Sequence, residues 1–148
     1  MALPDSRNRV PAHTKEAINR RIDRQMRYRL EYYARHPQEI DERLRQLDRE
    51  WDVERALEAN AASVGLIGLL LALLRGRRYL LLPLAVCGFL LQHALQGWCP
   101  PLAIFRRLGL RTRDEISVER QALKILRGDF KEAGPDMGAD QAATLAHR

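Results

Sequence analysis

The chain has 148 residues, with 25 Lys and Arg against 19 Asp and Glu and a formal net charge of +6; that length holds one domain at most, without room for a second, catalytic one. Its only cysteines, Cys87 and Cys99, would lie roughly 18 Å apart on one helix, beyond disulfide reach, so no framework of bridges is expected. The basic excess gathers in the first 36 residues with no zinc-finger, RNA-recognition or basic-zipper pattern beside it, which points to anionic lipid headgroups and away from nucleic acid.

Residues 1–12 carry Pro4 and Pro11 and no apolar period, and read as a disordered leader. They lack the apolar core of a cleaved secretory signal. Residues 13–56 read as basic and charged amphipathic helices. Behind Thr14, the residues Ala17, Ile18, Ile22, Met26, Leu30 and Tyr33 recur at helical spacing, and Arg20, Arg21, Arg24, Arg27 and Arg29 cover the other faces. Such a helix suits an anionic membrane surface and equally an ordinary solvated face packed on a partner helix. His36-Pro37 interrupts it. Ile40, Leu44, Leu47 and Trp51 then form a stripe like a coiled-coil seam, too short for a full one. With no Gly or Pro between Gln38 and Ser63, one long helix is expected to run from water into the apolar block, with Trp51 near the interface.

That block defines the fold class: an all-α chain with a transmembrane helical hairpin over 57–98, turning at 75–78 (Arg-Gly-Arg-Arg), and flanking cytoplasmic amphipathic helices. Ala61 to Leu74 gives about 21 Å of helix, short of a hydrocarbon core of about 30 Å. Extension back to Ala56 gives about 28 Å, with Glu58 and Asn60 reaching the headgroups. Pairing about the turn sets Ala61, Gly65, Gly68 and Ala72 against Ala85, Gly88, Gln92 and Gln96, a small-residue contact that lets backbones approach closely. The same register brings Glu58 and Asn60 level with His93 and Gln96. Trp51 and Trp98 would mark one interface, Tyr79 and the turn arginines the other. Arg43, Arg45, Arg49, Arg55, Arg106, Arg107, Arg111 and Arg113 outweigh Arg75, Arg77 and Arg78, placing both termini in the cytoplasm.

Residues 99–130 read as membrane-proximal helices. Cys99-Pro100-Pro101 turns the chain, a basic-apolar helix follows to Gly109, and Thr112 to Glu115 forms a capping-box pattern ahead of a helix that stops at Gly128. Residues 131–148 read as a disordered tail.

Gln92 and His93 are candidates for an intramembrane proton or ligand site, or sit at the interface bonded to Glu58, Asn60 or water. Cys99 is a candidate reactive thiol, without the His or second Cys of a nucleophilic or CxxC arrangement, and serves equally as a turn residue. The histidines at 13, 36, 93 and 147 show no ligand spacing. No catalytic group, cofactor or metal site is expected, and the chain reads as a non-enzyme.

Gly97-Trp98-Cys99-Pro100, followed by Leu108-Gly109-Leu110, resembles the YgaP-like inner-membrane transmembrane domain family over about residues 58–112. The resemblance implies a small bacterial inner-membrane hairpin. Some members carry a rhodanese sulfurtransferase domain, for which this chain has no room, and the Arg-rich extension at 14–56 departs from the family pattern. The expectation is a multi-pass inner-membrane protein acting as an anchor or assembly factor, with the lipid bilayer and further copies of itself, as a homo-oligomer, for partners. A redox or sulfur-metabolism accessory using Cys99, or a soluble bundle with the block as its core, are the alternatives.

Overall fold

The computed structural model describes residues 8–134 and 137–146. The expected leader up to residue 7, parts of the expected tail and His147 lie outside them. Among the described residues all regular structure is helical: α1 (Arg9–Ala12), α2 (Glu16–Arg35), α3 (Ile40–Arg49), α4 (Val53–Arg75), α5 (Leu81–Gln96), α6 (Pro100–Leu108), α7 (Arg113–Arg127) and α8 (Ala139–Ala146), with 3₁₀ turns at Pro37–Glu39 and Arg77–Leu80. Two compact units divide the chain, Met1–Asp23 with Trp51–Asp114 and Arg24–Glu50 with Glu115–Arg148.

In the first unit Val10, Val53, Leu57, Cys99 and Leu102 form the core, with Phe105 and Leu110 packed on it. Residues 9–12, expected as part of a disordered leader, instead form α1, and Val10 is 2% exposed. A single valine between two prolines gives no periodic signal; its order comes from contacts far along the chain. The expected long helix from Gln38 is also broken. Glu50 and Asp52 are extended, and Asp52 accepts the Arg55 N–H at 2.6 Å as the N-cap of α4. A capping carboxylate competes with helix continuation, and the adjoining Val53 N–H bonds to the Arg111 carbonyl at 2.8 Å.

α4 ends where Gly76 adopts φ +115°, ψ 163°, a conformation open essentially to glycine alone. The reversal is therefore concentrated on one residue, and Arg77–Leu80 already belong to the return path. α5 runs back along α4 with Gly68 against Leu82 and Pro83, two to three residues away from the Ala85 that a turn spread over 75–78 would supply. Pro83 lies in the first turn of α5 and breaks nothing. Two helices, one ending at Arg75 and one over Arg77–Gln96, are long and apolar enough to cross a membrane.

In the second unit Ile40, Leu44, Leu47, Ile116 and Leu123 are buried together, with Leu30 and Tyr33 against them. Three of the four seam residues are thus core. The fourth, Trp51, belongs to the first unit and is 49% exposed, with the Arg55 guanidinium 4.6 Å from its ring centre. Glu119, fully buried, accepts Arg29 Nε and Nη2 at 3.0 and 2.8 Å and Arg43 Nε at 3.0 Å. Residues 139–146 of the expected tail form α8, with Leu145 buried.

Candidate functional site

The first unit concentrates its polar specificity where α5 ends and α6 begins. Gly97 closes α5 in the left-handed region at φ +76°, its N–H bonded to the His93 carbonyl at 2.7 Å. A Cβ there would stand 2.6 Å from Arg9 Cβ, so the glycine is required both by its φ and by the approach of α1. Arg9 Nη1 donates to the Ala94 carbonyl at 3.0 Å, one of the four carbonyls a helix leaves unpaired at its C-terminus, where a cation is also favoured.

The same segment is held from α6. Arg106 is 1% exposed; its Nε donates to Thr14 Oγ1 at 3.3 Å, Nη2 to Asn19 Oδ1 at 2.9 Å and Nη1 to the Leu110 carbonyl at 3.1 Å. Thr14 in turn donates to the Val10 carbonyl and Asn19 to the Pro11 carbonyl. A buried guanidinium is tolerated because its donors are met, and here those acceptors tie the N-terminal segment to the last turn of α6. Arg9, Asn19 and Arg106 were not legible as site residues in the sequence, where Arg106 entered only the charge balance across the spans. An arginine in a basic-apolar helix has the spacing of a solvated one, and only the fold turns Arg106 inward.

The expected site residues separate. Cys99 is 4% exposed within the core, and burial pushes its thiol above the ordinary cysteine value. His93 is 7% exposed; its Nδ1 finds no hydrogen-bond partner among the described residues, and its charged neighbour is Arg9, where Glu58, Asn60 or water was expected. Gln92 is half-buried and Gln96 exposed. On α4 the small face points inward: Ala61, Gly65 and Ala72 are half-buried and Gly68 buried. On α5 the expected partners Ala85 and Gly88 are exposed, and a Cβ at Gly65 or Gly88 would meet nothing within 4 Å. The inward stripe of α5 is instead Pro83, Val86, Gln92 and His93, so of the expected partners only Gln92 turns inward and the small residues of α4 face bulkier ones. The shift of register made by Gly76 together with the 3₁₀ turn Arg77–Leu80 accompanies this change of face.

Beyond Gly68, α4 and α5 leave an apolar cavity of about 260 Å³, lined among others by Ala61 and Val64, Val86 and Phe89, and Asn60 and Cys99. Its lining supplies an amide and a thiol of raised pKa, a setting for apolar contact more than for acid–base chemistry. Among the described residues no group of three or more His, Cys, Asp and Glu could hold a metal ion. No family model, curated protein or solved structure matches the chain.

Proposed function

We propose that this chain is a small multi-pass inner-membrane protein without enzymatic turnover, an anchor or assembly factor. In this reading α4 and α5 form a transmembrane hairpin, and amphipathic helices flank it on the cytoplasmic side with both termini. The observation that carries the reading is apolar surface left bare: only 11% and 6% of the apolar windows of the two long helices are buried. Leu73, Leu74 and Leu81 are 83%, 78% and 70% exposed, whereas the two hydrophobic cores draw on other residues. The apolar core helix of a soluble bundle would be mostly buried, and so large a bare patch on a water-soluble chain is unusual.

Length and edges agree with this reading. The 23 residues of α4 give about 34 Å and the 20 residues of Arg77–Gln96 about 30 Å, and helices satisfy their own backbone in lipid. Aromatic–cation pairs sit at both edges, Arg55 on Trp51 and Arg78 on Tyr79 at 5.0 Å. The resemblance to the YgaP-like family at Gly97–Pro100 and Leu108–Leu110 belongs to the same proposal. A redox role for Cys99 draws no support from a thiol packed in a core with raised pKa. Fractionation tests the reading: the full-length protein is expected in the membrane pellet after carbonate washing and in solution only with detergent. Recovery as a detergent-free soluble monomer would overturn it.

A further inference from the structure

The outer side of α6 is the surface that neither core accounts for. Its inner side is fixed: Leu102 and Arg106 are each 1% exposed, and Arg21 Nη2 donates to the Arg107 carbonyl at 2.8 Å near the helix end. Gly97 and the Cys99-Pro100-Pro101 turn prevent α6 from continuing α5. Yet one turn apart on the opposite side stand Ile104, 57% exposed, and Leu108, 71% exposed, positions four residues apart that share a helix face. Between them Arg107 is exposed, with no ion-pair partner among the described residues.

We propose that α6 lies in the plane of the membrane interface, with Ile104 and Leu108 dipping into the acyl boundary and Arg107 among anionic headgroups. The inference rests on the membrane reading above and adds an occupant for this face. Continuity argues for lipid as that occupant: Leu91, Leu95 and Trp98, at 62%, 51% and 37% exposure, carry the bare apolar surface of α5 up to the turn that starts α6. Charge agrees, because a cation flanking an apolar pair is the pattern of an interfacial helix on anionic lipid. The inner contacts of Arg106 and Arg21 then fix how deep the hairpin can sit.

The test places an environment-sensitive fluorophore on single cysteines, Ile104→Cys or Leu108→Cys, in the full chain carrying Cys87→Ala. Labelling of the Cys87→Ala parent is subtracted. Each protein is reconstituted in phosphatidylcholine–phosphatidylglycerol vesicles with plain or brominated acyl chains, with Leu73→Cys and Leu81→Cys as span controls and Gln121→Cys as a water control. The expected result is loss of emission at 104 and 108 in brominated vesicles, comparable to that at 81, with little quenching by aqueous iodide. Iodide quenching at 104 and 108 while 73 and 81 respond to bromine overturns the inference and leaves the membrane reading standing. Protection from both quenchers at 104 and 108 overturns it in favour of a second copy on this face. Failure of bromine at 73 and 81 overturns the membrane reading, and the inference with it.

Discussion

Glu119 shows how much one carboxylate depends on residues distant in sequence. Its side chain is fully buried, while those of Arg29 and Arg43 are 28% and 14% exposed, so the carboxylate is held by two guanidiniums that keep some water. Removal of one partner of a buried ionic cluster costs about 3–5 kcal/mol, and the residual hydration of the arginines puts Glu119→Ala near the low end, about 3 kcal/mol. Denaturant unfolding in mild detergent should show this, with Glu115→Ala as the half-buried comparison; an effect below about 1 kcal/mol would mean that the cluster holds nothing. Nothing in the sequence distinguishes Glu119 from a solvated helix residue, because its arginines lie 90 and 76 positions away. Cys99 was legible as the start of a helix after a turn, but its burial was not. Because its pKa is raised, less thiolate is present at any given pH than for an ordinary thiol, and thiolate is the reacting form. In Cys87→Ser protein, maleimide labelling at neutral pH is expected at least about tenfold slower than in denaturant, speeding up only at higher pH. Equal rates in folded and unfolded protein would return Cys99 to the list of reactive thiols.

At the scale of elements, patterns of period and breakage located most helices, while the contacts between them depended on turn geometry. The stripe Ile40, Leu44, Leu47 and the stop at Gly128 were readable from spacing and punctuation. The break at Asp52 was hidden because an aspartate inside a charged stretch looks like any helix surface residue until its side chain caps Arg55 N–H. The inward face of α4 could be read, and that of α5 could not, since a reversal on Gly76 followed by the longer rise of the 3₁₀ turn Arg77–Leu80 shifts the register by two to three residues. The glycines of the two helices therefore have unequal duties. Gly68→Val would push a side chain into Pro83 Cδ, already 2.6 Å from a bare Cβ. Overpacking of this kind costs about 1–3 kcal/mol. Gly65→Val and Gly88→Val have open space at Cβ and should leave the pairing of α4 and α5 intact. Crosslinking between cysteines introduced at Val64 and Val86 reads that pairing: yield should fall in Gly68→Val alone. A loss in all three variants, or in none, would reject the observed register.

For the whole molecule, the sequence yields a polar chain interrupted by one apolar block, and the structure divides the work between them. Residues that form the interior of each unit lie outside the most apolar stretch: Val10, Leu102 and Arg106 within one unit, Ile40, Leu123 and Glu119 within the other. Most leucines of the block stay bare, which in the membrane proposal means that lipid supplies the contacts that protein does not. Orientation is the remaining quantity that sequence and fold both bear on. Arg106, buried and committed to Thr14, Asn19 and Leu110, and Arg43, committed to Glu119, count toward the positive-inside balance during insertion, before those bonds form, because the rule concerns charge near the spans and not its later pairing. Termini in the cytoplasm are therefore expected despite the exposed Arg75, Arg77 and Arg78 in the turn, which oppose that orientation. Replacing all three, Arg75→Gln with Arg77→Gln and Arg78→Gln, removes the opposition. Reporters fused to either end, active only in the cytoplasm, should be active in the unaltered chain and at least as active in the triple variant. Activity confined to one end would exclude a two-span topology, and a drop in the triple variant would show the turn on the cytoplasmic side.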